Sequence, residues 1–454
     1  MKRDFLNTAL LSIACPAALL AAGLLPKSFC LAQPAPNRLT LQDAIQKGLQ
    51  ANLNVLVAGT RVDEAEGALE RSRSAALLPR VNAETYANVQ NRNLRAFGIS
   101  VPGIPFPNVV GPFSNYDFRL YAQQNVIDLQ SYRAFKASQL AVDAGKMDEQ
   151  DARDLIVRSI AALYLDAQSA SARADAAQSR VTVSTALFKL ATDKHDAGTA
   201  TGVDVLRAQV QLANDKQALL VTQNQLKQSL LVLARNLGIS PGAPLELADP
   251  LHYQVLSQPQ SDALLPAALK ARADYLSLAS QRQSLVEQQH ANRARYYPKL
   301  SLSGNIGELG RSIGSVQTTG LIQGQIDFTV FDRDRNGEAD QLASRVKRID
   351  DQIADLERGV DEDIRQALLN LDSATEQVSV AQQGQELAQR ELLLAQDRFQ
   401  AGTANNVEVV TAQDELARAE ENYIVAVSSH VDAKFALARA MGDTEKNILQ
   451  FMKP

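Results

Sequence analysis

Apolar residues recur at helical spacing from Leu39 to Ala76 and again from Ser261 to Tyr297, and each run is closed by a proline, Pro79 and Pro298. Thr40 stands as an N-cap for the first run. Proline cannot continue a helix and drives its predecessor to extended backbone, and beyond each one the hydrophobic period shortens towards two. Val81, Ala83, Thr85 and Ala87 alternate with Asn82, Glu84, Tyr86 and Asn88; Leu300, Leu302, Gly304 and Ile306 alternate with Ser301, Ser303 and Asn305. This predicts strands over about 80–90 and 299–308. Return strands are predicted at 116–127 and 319–331, the latter with Ile322, Ile326, Phe328 and Val330 opposite Gln323, Gln325, Asp327 and Thr329. One face apolar and one polar over about ten residues is the pattern of an outer-membrane strand. The half-buried sheet of a soluble domain has the same period, which does not choose between them.

Residues 131–195 and 334–400 are free of proline and dense in Ala, Leu, Gln, Asp and Arg. About 65 helical residues make a rod of roughly 100 Å, too long for one globular core and suited to side-by-side coiled-coil packing. Shorter return helices are predicted from Val203 to Leu237 and from Val407 to Met441, with Gly198 and Gly402 at the turns. Around these turns the sequence repeats without a gap: Asp193 to Ala200, Val203-Asp204-Val205 and Ala208-Gln209 return 204 residues later as Asp397 to Ala404, Val407-Glu408-Val409 and Ala412-Gln413. A gapless match preserves the facing of every side chain, so the two halves are expected to be structural repeats. The predicted division is a first repeat at 33–240, with its helical hairpin over 131–238, a proline-rich linker at 241–260, a second repeat at 261–443, with its hairpin over 334–442, and a tail at 444–454. Asp128 and Asp332, which end the return strands, are expected to cap the incoming helices.

The first 32 residues have the layout of a secretory signal peptide: Lys2 and Arg3, an apolar run from Ala9 to Leu25, and Leu31-Ala32 before Gln33-Pro34. Both cysteines, Cys15 and Cys30, fall inside it, and the residues before Cys30 (Lys27, Ser28, Phe29) lack the small-residue box of a lipoprotein. Cleavage near Ala32 removes three basic residues and one acidic residue, taking the formal charge from −5 to −7. That acidity disfavours nucleic acid as a partner. Beyond residue 32 no apolar stretch reaches about 18 residues, so any membrane crossing must be by a β-barrel. No G-x-S-x-G, H-E-x-x-H or phosphate-loop pattern is present, and His195, His252, His290 and His430 lack metal-ligand spacing, so neither an enzyme nor a cofactor or metal site is expected.

Four strands cannot close a membrane barrel, for which about eight is the minimum, so strands in a membrane require several copies. The order of helix, proline, strand, loop, strand ending in Asp and long hairpin, twice over with its Ala-Gly-Thr turns, resembles the TolC-like outer-membrane efflux proteins across roughly residues 38–443. The resemblance implies an α+β, mainly α fold, in which a homotrimer forms a twelve-stranded outer-membrane β-barrel continuous with a twelve-helix periplasmic coiled-coil α-barrel. It also implies a passive exit duct, for an efflux pump or type I secretion system, whose partners are outer-membrane lipid, a periplasmic adaptor and an inner-membrane transporter. The alternative is a secreted, soluble coiled-coil scaffold of the cell envelope.

By the same resemblance the adaptor meets the periplasmic tip at Ala197, Gly198, Thr199, Ala401, Gly402 and Thr403. The two glycines also serve as ordinary helix C-caps. The pore constriction falls at Asp204, Phe399, Glu408 and Thr411. Here the chain departs from the family pattern: Ala404 and Phe399 stand where arginine and tyrosine form the closed gate. Three copies of Glu408 would favour cations, unless Glu408 is a solvated outer-face residue. Phe399 is either a dry constriction or a packed core residue.

Overall fold

A computed structural model describes residues 37–98, 107–240, 243–256 and 263–452. The expected leader at 1–32 and the prolines Pro102, Pro105, Pro241 and Pro259 lie outside them. Thr40 opens helix α1 (Leu41–Ala51) through a capping box in which its hydroxyl accepts the Asp43 N–H at 3.1 Å. The helix predicted as continuous to Ala76 breaks at Asn52, whose side chain accepts the Asn54 N–H at 2.9 Å and starts α2 (Leu53–Leu77). The second half breaks likewise at Arg272, between α5 (Leu264–Ala271) and α6 (Ala273–Ala294). There the cause is tertiary: the buried Arg272 guanidinium is held by Asp274 at 2.7 Å and Asp363 at 3.1 Å.

Past the prolines, β2 (Arg80–Asn93), β3 (Val109–Ile127), β5 (Lys299–Gly310) and β6 (Gln317–Asp327) form one antiparallel sheet in that order. Directly opposed residues share a face. Val81, Ala122, Gly304 and Ile322 form one row and Ala83, Leu120, Ile306 and Gly320 the next, both on the apolar face. Arg80, Gln123, Ser303 and Gln323, and then Glu84, Arg119, Gly307 and Thr319, form rows on the polar face. Gly307 is required, because a Cβ there would run into the Phe118 carbonyl and the Arg119 backbone. Asp117, on the polar face, accepts the Tyr86 hydroxyl at 2.8 Å and pairs with Arg119 at 2.7 Å. The first hairpin extends beyond the predicted strands, to Asn93 and from Val109, whereas β6 stops at Asp327 and not at Phe331. The reason is partnership: Asp327 faces Lys299, the first residue of β5, and the ladder ends there because Pro298, the residue before it, has no N–H to continue it.

Helix α3 (Leu129–Asp196) has 68 residues and α7 (Asp334–Gln400) has 67, about 100 Å each. Asp128 caps α3 by accepting the Ser131 N–H at 3.0 Å; Asp332, one position before the N-cap residue of α7, accepts the N–H of Asp334, the first residue of that helix, at 3.0 Å and pairs with Arg295 at 2.6 Å. Return helices α4 (Gly202–Asn236) and α8 (Asn406–Met441) follow the turns. Near the sheet, α2, α3, α6 and α7 pack side by side in that order; nearer the turns the order is α4, α3, α8 and α7. The ribbon therefore has α7 as one edge and α2 continued by α4 as the other.

Midway along the helices lies the main apolar core. It gathers Leu39, Ile45, Ile160, Tyr164, Leu233 and Phe435 beneath a parallel pair, β1 (Asn37–Leu39) and β4 (Leu245–Leu247), and Ile448 of α9 (Thr444–Phe451). The residues expected as a tail thus form a packed helix. Beside this core two titratable groups are buried to 1% exposure. Lys434 donates to the Gln254 carbonyl at 2.5 Å, and burial pulls its pKa down to about 8. Burial, with the neighbouring Lys434 charge, pulls His430 down to about 4, and its ring meets Tyr253 edge-on at 4.8 Å.

A histidine whose folded pKa lies below its unfolded value of about 6.5 contributes full stability above that pH and loses it as the pH falls towards the folded value. The loss from His430 is expected to reach about 3 kcal/mol by pH 4. Asp154, pushed up to about 6 chiefly by burial, acts in the opposite sense over the same range. The His430 contribution is therefore read as the difference between wild type and His430→Gln. Thermal midpoints at pH 7.5 and pH 5 should fall more steeply for the wild type, and parallel slopes would refute the assignment.

Candidate functional site

The two helical turns are built by the same local chemistry. At the end of α3, Gly198 takes φ +74° and donates to the His195 carbonyl at 2.9 Å, while Thr199 N–H reaches the Lys194 carbonyl at 2.8 Å. At the end of α7, Gly402 takes φ +76° and donates to the Phe399 carbonyl at 3.2 Å, with Thr403 N–H on the Arg398 carbonyl at 3.0 Å. Both are Schellman turns, which need a residue at positive φ that only glycine supplies without strain. The Thr199 and Thr403 hydroxyls add bonds to the same Lys194 and Arg398 carbonyls at 3.0 and 3.1 Å. Ala197, Gly198, Thr199, Ala401, Gly402 and Thr403 thereby form two exposed loops of matching geometry; no side chain approaches within 4 Å of where a Cβ on either glycine would stand.

The two loops are tied together by side chains that sequence reasoning did not single out. Lys194 Nζ donates to the Phe399 carbonyl at 2.5 Å and the Gln400 carbonyl at 3.0 Å, and lies 4.8 Å above the Phe399 ring. It thus places a cation on the carbonyl end of α7, where the helix dipole is negative. Asn406 Nδ2 donates to the Asp204 carbonyl at 3.0 Å, joining the starts of α4 and α8. Arg398 pairs with Glu408 at 3.0 Å across the second turn. The sequence signal was the basic residue in the last turn of each long helix; Arg398 finds its partner within its own hairpin, whereas the partners of Lys194 depend on the two hairpins meeting.

The four residues expected at a constriction have different surroundings. The Asp204 carboxylate turns back onto its own N-cap, accepting the Thr201 hydroxyl at 2.6 Å and backbone N–H at 3.1 Å. The Thr201 hydroxyl is the main reason its pKa lies below the usual carboxylate value, and Arg207 at 3.8 Å adds to it. Glu408 and Thr411 are exposed. Phe399 is 4% exposed and packs with Leu187, Leu392, Ala395, Val409 and Ala412 inside the bundle. Thr411 borders an apolar groove of about 410 Å³ between α4 and α8, lined by Val203, Leu206, Val210, Val407 and Val410. Among the described residues no group of three or more His, Asp, Glu or Cys is placed to hold a metal ion, and no helix is long and apolar enough to cross a membrane.

The sequence model described as outer membrane efflux protein matches residues 44–239 and 264–443. The chain is 23% identical over 412 residues to the pyoverdine export outer membrane protein OpmQ of Pseudomonas aeruginosa, covering 88% of this chain and 85% of that protein. To the antibiotic efflux pump outer membrane protein ArpC of Pseudomonas putida it is 24% identical over 415 residues, covering 88% and 82%. Among solved structures the fold is similar to that of the outer membrane protein VceC from Vibrio cholerae, with a TM-score of 0.72, 19% identity and coverage of 88% of this chain and 96% of that one. It is equally similar to CusC, with a TM-score of 0.73, 17% identity and coverage of 94% and 99%.

The Lys194 clamp has a local consequence. Replacing Lys194 with Met removes a charged donor from two helix-end carbonyls, a loss of about 1.5 kcal/mol. Amide exchange over residues 398–406 is expected to quicken about ten-fold, with the core around Tyr164 unchanged. Equal exchange in both proteins would show that the clamp holds nothing.

Proposed function

The chain belongs to the outer membrane efflux protein family, and from that membership we propose that three copies form a passive duct through the outer membrane and periplasm. The observation that carries this reading is the four-stranded sheet with one continuous apolar face, both outer edges unpaired among the described residues, running directly into helices of about 100 Å. Three such sheets give a barrel of twelve strands with the apolar rows towards lipid and the polar rows towards the lumen. The helical ribbons close around the same axis. The edge helix α7 exposes Leu369, Val380, Leu387 and Leu394, the last three at heptad spacing, and the opposite edge α4 exposes Leu206, Leu220 and Leu231. Packing one edge against the other is a head-to-tail contact that closes into a ring of twelve helices. The soluble scaffold offers no role for the apolar sheet face.

Within this reading the chain comprises a cleaved leader at 1–32, repeats at 33–240 and 261–443 and a linker at 241–260. The paired turns at 197–199 and 401–403 meet the helical hairpins of a periplasmic adaptor, through which an inner-membrane transporter delivers cargo. Efflux is favoured over protein secretion because the similar proteins are named for pyoverdine export and antibiotic efflux. Glu408 and Thr411 face the narrow end of the duct, Asp204 adds a second acidic position, and Phe399 backs them from inside the bundle. The chain performs no chemistry on its cargo and needs no cofactor.

Two measurements test this. Detergent-extracted protein in a planar bilayer is expected to give discrete channels from a species with the mass of three copies; a water-soluble, non-conducting species would bring the scaffold forward. In the same recordings Glu408→Gln should weaken cation preference, because it removes a carboxylate and frees its partner Arg398, while Arg398→Gln should strengthen it. Unchanged preference in both variants would remove Glu408 from the constriction.

A further inference from the structure

We infer that β6 of one copy pairs with β2 of the next in one defined register, and that residues 328–331 become strand only in that pairing. The inference rests on the ring closure proposed above and specifies the contact that seals it. The two hairpins of the sheet share a register: Arg80 faces Gln123 in the first and Lys299 faces Asp327 in the second, so β2 maps onto β5 with a shift of 219 and β3 onto β6 with a shift of 204. The same shifts relate Pro79 to Pro298 and Asp128 to Asp332. One contact, β3 against β5, has no counterpart within a single copy. Its counterpart is β6 against β2 of the next copy. Under the two shifts, Gln124 opposite Leu302 becomes Phe328 opposite Ala83, Ala122 opposite Gly304 becomes Ile326 opposite Thr85, and Tyr121 opposite Asn305 becomes Gln325 opposite Tyr86.

Two features support this register. The faces agree, because Ile322, Ile326 and Phe328 fall opposite Val89, Thr85 and Ala83, all on the apolar side, whereas a slip of one residue would turn every pair over. The strand ends agree as well. Residues 124–127 of β3 lie beyond the start of β2 and are held as strand by β5 alone, with an irregularity at Val126. Their counterparts, Phe328 to Phe331, have no such partner in one copy, lie outside β6, and leave Phe328, Val330 and Phe331 at 68%, 86% and 83% exposure. Val330 falls on the position of Val126.

The test is disulfide trapping in intact outer membranes, starting from full-length chain with Cys15→Ser and Cys30→Ser. Ala83→Cys with Phe328→Cys, and Tyr86→Cys with Gln325→Cys, sample both kinds of antiparallel site, so at least one pair has the closer spacing. The slipped controls are Ala83→Cys with Ile326→Cys and Ala83→Cys with Val330→Cys. At least one in-register pair is expected to cross-link neighbouring copies ten-fold or more faster than both controls, read on non-reducing gels. A slipped pair that is as fast, or no cross-linking in a species with the mass of three copies, overturns the register and leaves the duct standing. A species with the mass of one copy overturns the duct and the register together.

Discussion

The backbone of a strand in lipid has no water to bond, and each unpaired N–H or carbonyl there costs several kcal/mol. Much else in this chain follows from that constraint. Four strands pair internally as β2, β3, β5 and β6 and leave two long edges, so a single copy cannot rest in the outer membrane. Side chains alone do not remedy this, because an apolar face satisfies lipid while the edge groups remain unmet. In the proposed trimer the sheet is completed by copies of itself, and the helices share that closure: their ribbon, like the sheet, is open-edged in one copy.

How the two hairpins meet decides where this assembly is stiff. Around Ile160, Tyr164, Val431 and Phe435, α3 and α8 are joined by the main apolar core, where fully burying one large side chain stabilises by about 1.5–3 kcal/mol. Further towards the turns the joint becomes polar, with Ser169 on Ser428 at 3.1 Å and Arg173 on Glu421 at 2.9 Å. Glu420 is half-buried there too, its pKa raised by burial against the pull of Arg180. Half-exposed ion pairs contribute about 0–1 kcal/mol each. Near the tip Leu187 of α3 enters the cluster around Phe399, and Lys194 closes the contact. The joint between hairpins thus rests on polar contacts over the stretch from Ser169 to Arg173.

What the sequence made legible was local. Thr40 caps through its own third neighbour, Pro79 and Pro298 forbid helix by covalent geometry, and Gly198 and Gly402 supply a backbone conformation; none of these needs a distant partner. The alternation along the strands also survives because both faces extend over whole rows. Breaks and ends set by tertiary partners were not legible. Arg272 interrupts a helix because Asp363, 91 residues away, holds it; β6 stops where β5 begins; residues 444–451 form a helix because a core receives them. At the tip, the residue types at 198, 204, 402 and 408 could be marked from the repeat, whereas Lys194 became visible only when α3 was placed beside the end of α7.

The two tips also show how equivalent positions acquire different electrostatics. Asp204 and Glu408 are the same place in the repeat, three residues after the N-cap of a return helix. In the first hairpin the cap is Thr201, whose hydroxyl and N–H both bond the Asp204 carboxylate, so that charge is spent on its own helix end. In the second the cap is Asn405, whose amide oxygen takes the N–H groups of Val407 and Glu408 at 3.1 and 3.4 Å. The cap is then satisfied without the carboxylate, and the additional methylene of glutamate lets that group reach Arg398. One acidic position is consumed by local structure and the other is released to a long-range partner. Changing the cap at Asn405 to threonine should therefore draw Glu408 inward and release Arg398, with no change at Glu408 itself.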